Sequence, residues 1–110
     1  MSVARTYGPN PQRRAELRSL AYHREVARRL AHDPSILERA RRKAHEWHRM
    51  WPTASKPYAQ HWLALLDGPR DQLEHVLTSD DSESISLRQT TPFAGVLGAR
   101  ERWRIWREIA

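Results

Sequence analysis

The stretch "DPSILERARRKAHEWHRMW", residues 33–51, decides the fold. Asp33 is a favourable N-cap residue and Pro34 suits the first position of a helix, so a helix is predicted to begin here. Its apolar residues recur at steps of 3, 4, 3 and 4, the spacing of a narrow seam between two packed helices. These residues are Leu37, Ala40, Ala44, Trp47 and Trp51. Pro52 is expected to end the helix, because the residue before a proline avoids the helical region.

The residues before this stretch predict a second helix beside it. From Pro11 onward, apolar residues return at helical spacings with Arg between them, and His32 closes the segment. The apolar positions are Leu17, Leu20, Tyr22, Val26 and Leu30. Residues 11–51 are therefore predicted to form a basic two-helix hairpin, preceded by a flexible N-terminus at residues 1–10.

The residues after the hairpin predict several short helices. Ser55 and Pro57 suit the start of a third helix. The "DGP" at 67–69 ends that helix with glycine and begins a fourth with proline. The "TSDDSES" at 78–84 supplies capping side chains and acidic residues for the start of a fifth.

The chain closes with a helix rich in Trp and Arg. Gly98 precedes "ARERWRIWREIA", residues 99–110, in which apolar groups cover more than half of the helix surface. No part of the sequence alternates as a half-buried strand does. The predicted fold class is all-α, with one helical domain over residues 11–110 that includes short helices and a partner-binding tail over 57–110.

Composition excludes several classes of protein. The chain of 110 residues has no Cys, which excludes disulfides, thiolate metal ligands and cysteine catalysis. Neither a membrane-spanning run nor a signal-peptide pattern is present, so we expect a cytoplasmic protein that does not insert into membranes. The net charge is +6, concentrated in residues 1–50, which hold 12 Lys+Arg against 5 Asp+Glu. A charge carried almost wholly by Arg favours acidic protein surfaces or phosphate as partners.

Catalytic and metal-binding patterns are missing. The "HEWH" at 45–48 places two His three apart, whereas the zinc-protease motif needs them four apart. Asp80, Asp81 and Glu83 are explained by the start of a helix without a metal ion. We therefore expect no enzymatic activity, no catalytic or metal-ligating residue, no cofactor and no small-molecule substrate.

The tail "LRQTTPFAGVLGARERWRIWRE", residues 87–108, allows two interpretations. It either completes this protein's own core or offers a surface to another protein. An amphipathic helix in a groove is a common recognition mode, and Trp and Arg dominate binding hot spots. The second interpretation predicts partner contacts at Phe93, Val96, Leu97, Arg100, Trp103, Arg104, Trp106 and Arg107.

The basic N-terminal half suggests a different partner. Its positive charge could contact phosphates of operator DNA or of RNA. The candidate residues are Arg28, Arg29, Arg41, Arg42 and Lys43. However, residues 20–47 lack a helix-turn-helix pattern with a central Gly, so nucleic-acid binding is expected to be weak or secondary.

The sequence also resembles a family. The distinctive parts, "LRQTTPFAGVL" and "ERWRIWRE", resemble a group of small bacterial helical proteins thought to be antitoxins of toxin–antitoxin pairs. The resemblance covers about residues 17–108, although the last helix begins with Gly98-Ala99 where those proteins often have Ser-Pro. It implies a chain that binds a cognate toxin and masks its active site. The resemblance does not specify the class of toxin, for which a nuclease and a nucleotidyltransferase are the candidates. The alternatives are a DNA- or RNA-binding regulator and a small scaffold subunit of a larger complex.

Overall fold

The computed structural model describes residues 10–109, which form six α-helices and no strand. The helices are α1 (Pro11–Leu30), α2 (Pro34–Met50), α3 (Lys56–Asp67), α4 (Arg70–Thr78), α5 (Ser82–Arg88) and α6 (Ala99–Arg107), with a 3-10 turn at Thr53–Ser55. The predicted all-α class is confirmed. The flexible N-terminus predicted at residues 1–10 lies, except for Asn10, outside the described residues. Within residues 10–109, no helix combines the length and apolar character needed to cross a membrane.

Three helices, α1, α2 and α5, begin where an N-cap side chain accepts a hydrogen bond from one of their first backbone N–H groups. The Asn10 side chain accepts a hydrogen bond from the backbone N–H of Arg13 at 2.7 Å. Asp33 accepts one from the N–H of Ser35 at 3.0 Å, and Pro34 follows as the first helical residue. Side-chain oxygens at these N-cap positions replace the missing helical acceptors, so the helices start at these residues.

The core joins the two ends of the chain. α2 packs mainly against α3, whereas α1 packs against α4, α5 and α6. The fully buried side chains come from each of the helices α1 to α5 and from the segment before α6. They include Val26, Trp62, Leu77, Phe93 and Leu97. The hairpin prediction therefore gives the right helices, but α3 rather than α1 is the main partner of α2.

The apolar seam predicted on α2 is rotated in the structure. Ile36 is 2% exposed and lies in line with buried Ala40 and Ala44, whereas Leu37 is only partly buried. Trp47 and Trp51 lie at the margin, where their rings stack on each other with centroids 4.6 Å apart. The buried side of α2 includes Ile36 in place of Leu37 because α2 packs mainly on α3 and has little contact with α1.

Two ion pairs fasten α1 to the C-terminal half of the chain. Arg13 pairs with Asp80 just before α5, and Arg29 pairs with Glu101 in α6. These pairs are partly exposed to solvent and add little stability each, but they fix how the later helices lie along α1. The α6 helix is thereby held on α1 with one side facing solvent.

Candidate functional site

The segment before α6, residues 92–97, fills the protein's own core. Phe93 is 0% exposed and meets the ring of Trp62 edge-on, with centroids 6.0 Å apart. Leu97 is 1% exposed, and Val96 packs on the edge of the same core. Phe93 and Leu97 were predicted as partner contacts, but their side chains have no free surface in this fold. We therefore assign both residues to the core.

One tyrosine holds this segment in place. The Tyr22 hydroxyl on α1 donates a hydrogen bond to the carbonyl oxygen of Phe93 at 2.7 Å. The hydroxyl oxygen of Tyr22 in turn accepts a longer hydrogen bond, 3.4 Å, from the backbone N–H of Leu97. Gly95 lies between them with a φ of 89°, a conformation that residues with a Cβ rarely adopt. The chain is thus folded into a tight loop around Tyr22.

The α6 helix presents a cationic and aromatic stripe to solvent. Four exposed residues recur at i, i+3, i+4 and i+7, so they share one face of the helix. We call them the outer stripe: Arg100, Trp103, Arg104 and Arg107. Trp103 is 60% exposed, and none of the three Arg forms an ion pair with a residue of the described range. The stripe can therefore supply an aromatic anchor and three guanidinium groups to an acidic surface.

The opposite face of α6 lies on α1. Ile105 packs against the core, and Trp106 is partly buried. The guanidinium groups of Arg18 and Arg102 lie over the Trp106 ring, 5.5 and 5.8 Å from its centroid. Trp106 was predicted as a central partner anchor, but in this fold its ring is covered from within the chain. It positions α6 and lies off the outer stripe.

The predicted nucleic-acid residues on α1 are engaged within the chain. Arg28 and Arg29 both pair with Glu25, and Arg29 also reaches Glu101. The hydrogen bond from Arg28, together with the positive charge of Arg29, lowers the pKa of Glu25 to about 2. Arg29 is therefore a structural link between α1 and α6, and its charge is largely neutralised.

The predicted nucleic-acid residues on α2 are of two kinds: two form hydrogen bonds within the chain, and one is exposed. Arg41 pairs with Asp67 at 2.7 Å and donates to the carbonyl of Leu66 at 3.2 Å, which ties α2 to the end of α3. Lys43 donates to the carbonyl of Ala94 at 3.2 Å. Arg42 is exposed and forms no ion pair within residues 10–109. The five residues thus do not form one continuous basic face.

Two buried polar residues escaped the sequence analysis. His23 is 2% exposed; its Nδ1 lies 2.7 Å from the carbonyl oxygen of Ser19 and its Nε2 lies 2.8 Å from Oγ1 of Thr91. Since a carbonyl can only accept, Nδ1 carries the proton and Nε2 accepts from the Thr91 hydroxyl. Burial lowers the pKa of His23 to about 4, so the ring is neutral near pH 7.

The second is Arg88, which is 2% exposed. Its Nη1 donates to the carbonyl oxygens of Val76 at 2.7 Å and Ser79 at 2.6 Å, so it satisfies acceptors left free at the end of α4. His23 could have been noticed from its position in the sequence, because it falls three residues after Leu20 on the apolar stripe of α1. Arg88 falls four residues after Ser84, a polar residue whose burial the sequence does not indicate.

The "HEWH" pair does not form part of a larger ligand cluster. His45 is exposed, and Nε2 of His48 lies 3.3 Å from the side-chain nitrogen of Gln60. Within residues 10–109, no group of three or more His, Asp or Glu side chains is arranged to hold a metal ion.

Comparison of the chain with protein-family models, with curated proteins and with solved structures finds no match.

Proposed function

We propose that this chain is a non-enzymatic antitoxin that neutralises a cognate toxin by direct contact through the outer stripe of α6. The observation that carries the proposal is Trp103, a large apolar side chain left 60% exposed between Arg residues that have no ion-pair partner among residues 10–109. The resemblance of "LRQTTPFAGVL" and "ERWRIWRE" to small bacterial antitoxins supports the same reading.

The mechanism follows from the chemistry of the stripe. Toxins that cut or modify RNA commonly have clefts lined by carboxylates that bind metal ions or nucleotides. Arg100, Arg104 and Arg107 can pair with such carboxylates in the planar, two-pronged geometry that guanidinium groups favour. Trp103 then supplies the apolar burial at the centre of the contact. The toxin loses its activity because the helix occupies the place of its substrate.

Replacing the exposed tryptophan tests this proposal. Trp103→Ala is expected to weaken binding to the toxin by about 30-fold to 1,000-fold, the usual cost of losing a hot-spot tryptophan. Binding is measured by calorimetry against the protein that the neighbouring gene encodes, and neutralisation by growth of cells that express that protein. Tyr58→Ala is the matched control, because Tyr58 is also an exposed aromatic residue, 47% accessible, but lies on α3.

The stability of each variant, measured in the absence of the toxin, distinguishes the loss of an interface contact from a defect in folding. Because Trp103 is mostly exposed, Trp103→Ala should remain folded and lose neutralisation, whereas Tyr58→Ala should retain both. Equal neutralisation by the two variants, or an adjacent product that does not harm cells, would refute the proposal. Deletion of residues 99–110 is a poorer test, since it also removes Ile105, which packs on the core.

Nucleic-acid binding is a second candidate, supported by one groove. Arg39, Arg42 and Lys43 of α2 line a depression of about 460 Å³, with one carboxylate, Glu46, and with Val96 on the facing segment. Phosphate contacts there should make affinity for duplex DNA fall steeply with salt, by a log–log slope of about −0.9 for each phosphate contacted. Arg42→Glu should abolish such binding and leave toxin neutralisation intact. Loss of both activities in this variant would contradict a separate nucleic-acid role.

A further inference from the structure

A cleft rich in arginine lies behind α6, on the side away from the outer stripe. It has a volume of about 380 Å³ and is formed by α1, α6 and the segment 88–95. Three guanidinium groups line it, from Arg18, Arg88 and Arg102, and its described lining includes no Asp or Glu. We call this cavity the arginine cleft. Its volume falls within the range of small-molecule sites, roughly 300–1,000 Å³.

Several N–H donors around the cleft have no acceptor. The Nε atoms of Arg18 and Arg102, the indole nitrogen of Trp106, and both Nε and Nη2 of Arg88 are buried without a hydrogen-bond partner in the described chain. Buried donors are nearly always paired, because an unpaired one loses its bonds to water without replacement. Five such atoms on four residues around one cleft indicate a missing acceptor.

Arg88 makes the strongest demand for an anion. It is 2% exposed, and only its Nη1 is used within the chain. Burial lowers the pKa of Arg88, although an arginine remains charged at any ordinary pH. Asp80 and Asp81 are close enough to favour the charged form, but neither lies within ion-pair distance of it. A buried cation without an ion-pair partner is costly, so binding an oxyanion here would be favourable.

The charge of the cleft selects among oxyanions. The residues that line the cleft include three Arg and no Asp or Glu, and His23, which also lines it, is neutral near pH 7. A carboxylate or a phosphate diester brings one negative charge, whereas a phosphate monoester brings about 1.5 to 2 and three acceptor oxygens. The monoester therefore matches both the number of cations and the number of free donors best.

We propose that the arginine cleft binds the phosphate group of a small phosphate monoester. Arg88 donates from the base of the cleft, Arg18 and Arg102 donate from its two helices, and the apolar surfaces of Ala15 and Ala94 receive the organic part. This site is independent of the proposed toxin contact, because it lies on the other face of α6. Ligand binding would hold α6 against α1 and so stabilise the platform for the outer stripe.

Titration of the free full-length chain tests the site without any toxin. The probes are inorganic phosphate and phenyl phosphate, with benzoate as a carboxylate of similar shape, each added at constant ionic strength. Calorimetry gives the affinity, and the indole N–H resonance of Trp106 should shift as its unpaired donor meets the ligand. We expect phenyl phosphate to bind more tightly than inorganic phosphate, and benzoate to bind at least tenfold more weakly than phenyl phosphate.

Two arginines on the same helix provide a matched pair of variants. Arg102→Gln removes a donor from the cleft, whereas Arg104→Gln removes the same charge from the outer stripe. We expect the first to weaken binding of phenyl phosphate by about tenfold or more and the second to change it less than twofold. Both variants should keep the circular dichroism spectrum of the original chain, since neither residue forms an ion pair within residues 10–109.

Three results would overturn the proposal. The first is a lack of any Trp106 shift at millimolar phenyl phosphate, which would mean that water alone satisfies the donors. The second is an equal effect of Arg102→Gln and Arg104→Gln, which would mean attraction by net charge. The third is benzoate binding as tightly as phenyl phosphate, which would make the site one for carboxylates. None of these results depends on whether the chain neutralises a toxin.

Discussion

Phe93 offers the sharpest test of the tail's position. Its side chain is 0% exposed and meets two rings edge-on, that of Trp62 at 6.0 Å and that of His23 at 6.4 Å. Truncating a buried Phe to Ala costs about 3–5 kcal/mol, through lost burial and the cavity that remains. A domain of this length has about 5–15 kcal/mol of total stability. Phe93→Ala should therefore lose a large part of its free energy of unfolding.

The assay is urea unfolding followed by far-ultraviolet circular dichroism. Phe93→Leu restores most of the volume and should lose only about 1–2 kcal/mol, including the lost aromatic contacts. Trp103→Ala should lose about 1 kcal/mol or less, because most of that ring is already exposed to water. If instead Phe93→Ala loses under about 1 kcal/mol and Trp103→Ala loses more, the placement of residues 92–97 in the core is wrong.

Three further predictions concern stability. The pKa of His23 is about 4 in the folded chain against an ordinary 6.5, so the unfolded chain binds the proton first. Above pH 6.5, the free energy of unfolding should not depend on His23, and it should fall by up to about 3 kcal/mol as the pH decreases towards 4. Urea titrations at each pH should show this decrease for the original chain and not for His23→Gln. Gly95→Ala, at a φ of 89°, should lose about 1 kcal/mol through backbone strain, measured by thermal unfolding, although a Cβ there would meet no neighbour. Ala44→Leu, at a fully buried position between α2 and α3, should lower the urea midpoint by overpacking worth about 1–3 kcal/mol.

The helix boundaries were predictable because local chemistry sets them. Asp33-Pro34 begins α2, Pro52 follows its end, and Gly68-Pro69 separates α3 from α4, all as expected. These residues act through their own backbone geometry and capping groups, so no distant contact is needed to interpret them. In the "TSDDSES" segment, where Ser79 and Asp80 are the first side chains able to cap a helix, the N-cap of α5 is the next residue, Asp81.

The faces of the helices were less predictable. On α3, Tyr58 precedes Trp62 by four residues, a helical spacing that predicts both on the inner face, but Tyr58 is 47% exposed while Ala59 is fully buried. On α2, Ile36 takes the place expected for Leu37. In both helices the apolar pattern allows two neighbouring rotations, and the choice depends on which helix packs alongside. That partner is set by the whole fold.

The candidate site was predictable only in part. The outer stripe residues Arg100, Trp103, Arg104 and Arg107 were all expected to face a partner, and they share the exposed face of α6. Apolar groups cover more than half of this helix, so the sequence could not separate Trp103 from Trp106. Docking on α1 makes that separation, because it covers Trp106 with Arg18 and leaves Trp103 outside.

The hydrogen bonds between Tyr22 and the segment 92–97 affect how quickly the chain can fold. The two hydrogen bonds of its hydroxyl group connect positions that are separated by 71 and by 75 residues in the sequence, and the Arg29–Glu101 pair connects positions separated by 72. Helical proteins usually fold fast because their contacts are local, and contacts of long sequence separation slow the search. Here the core cannot close until the 92–97 segment has left the ribosome. During synthesis, the apolar side of α1 therefore remains exposed to solvent. A stalled or truncated chain is consequently susceptible to proteases and aggregation, whereas a completed chain is protected.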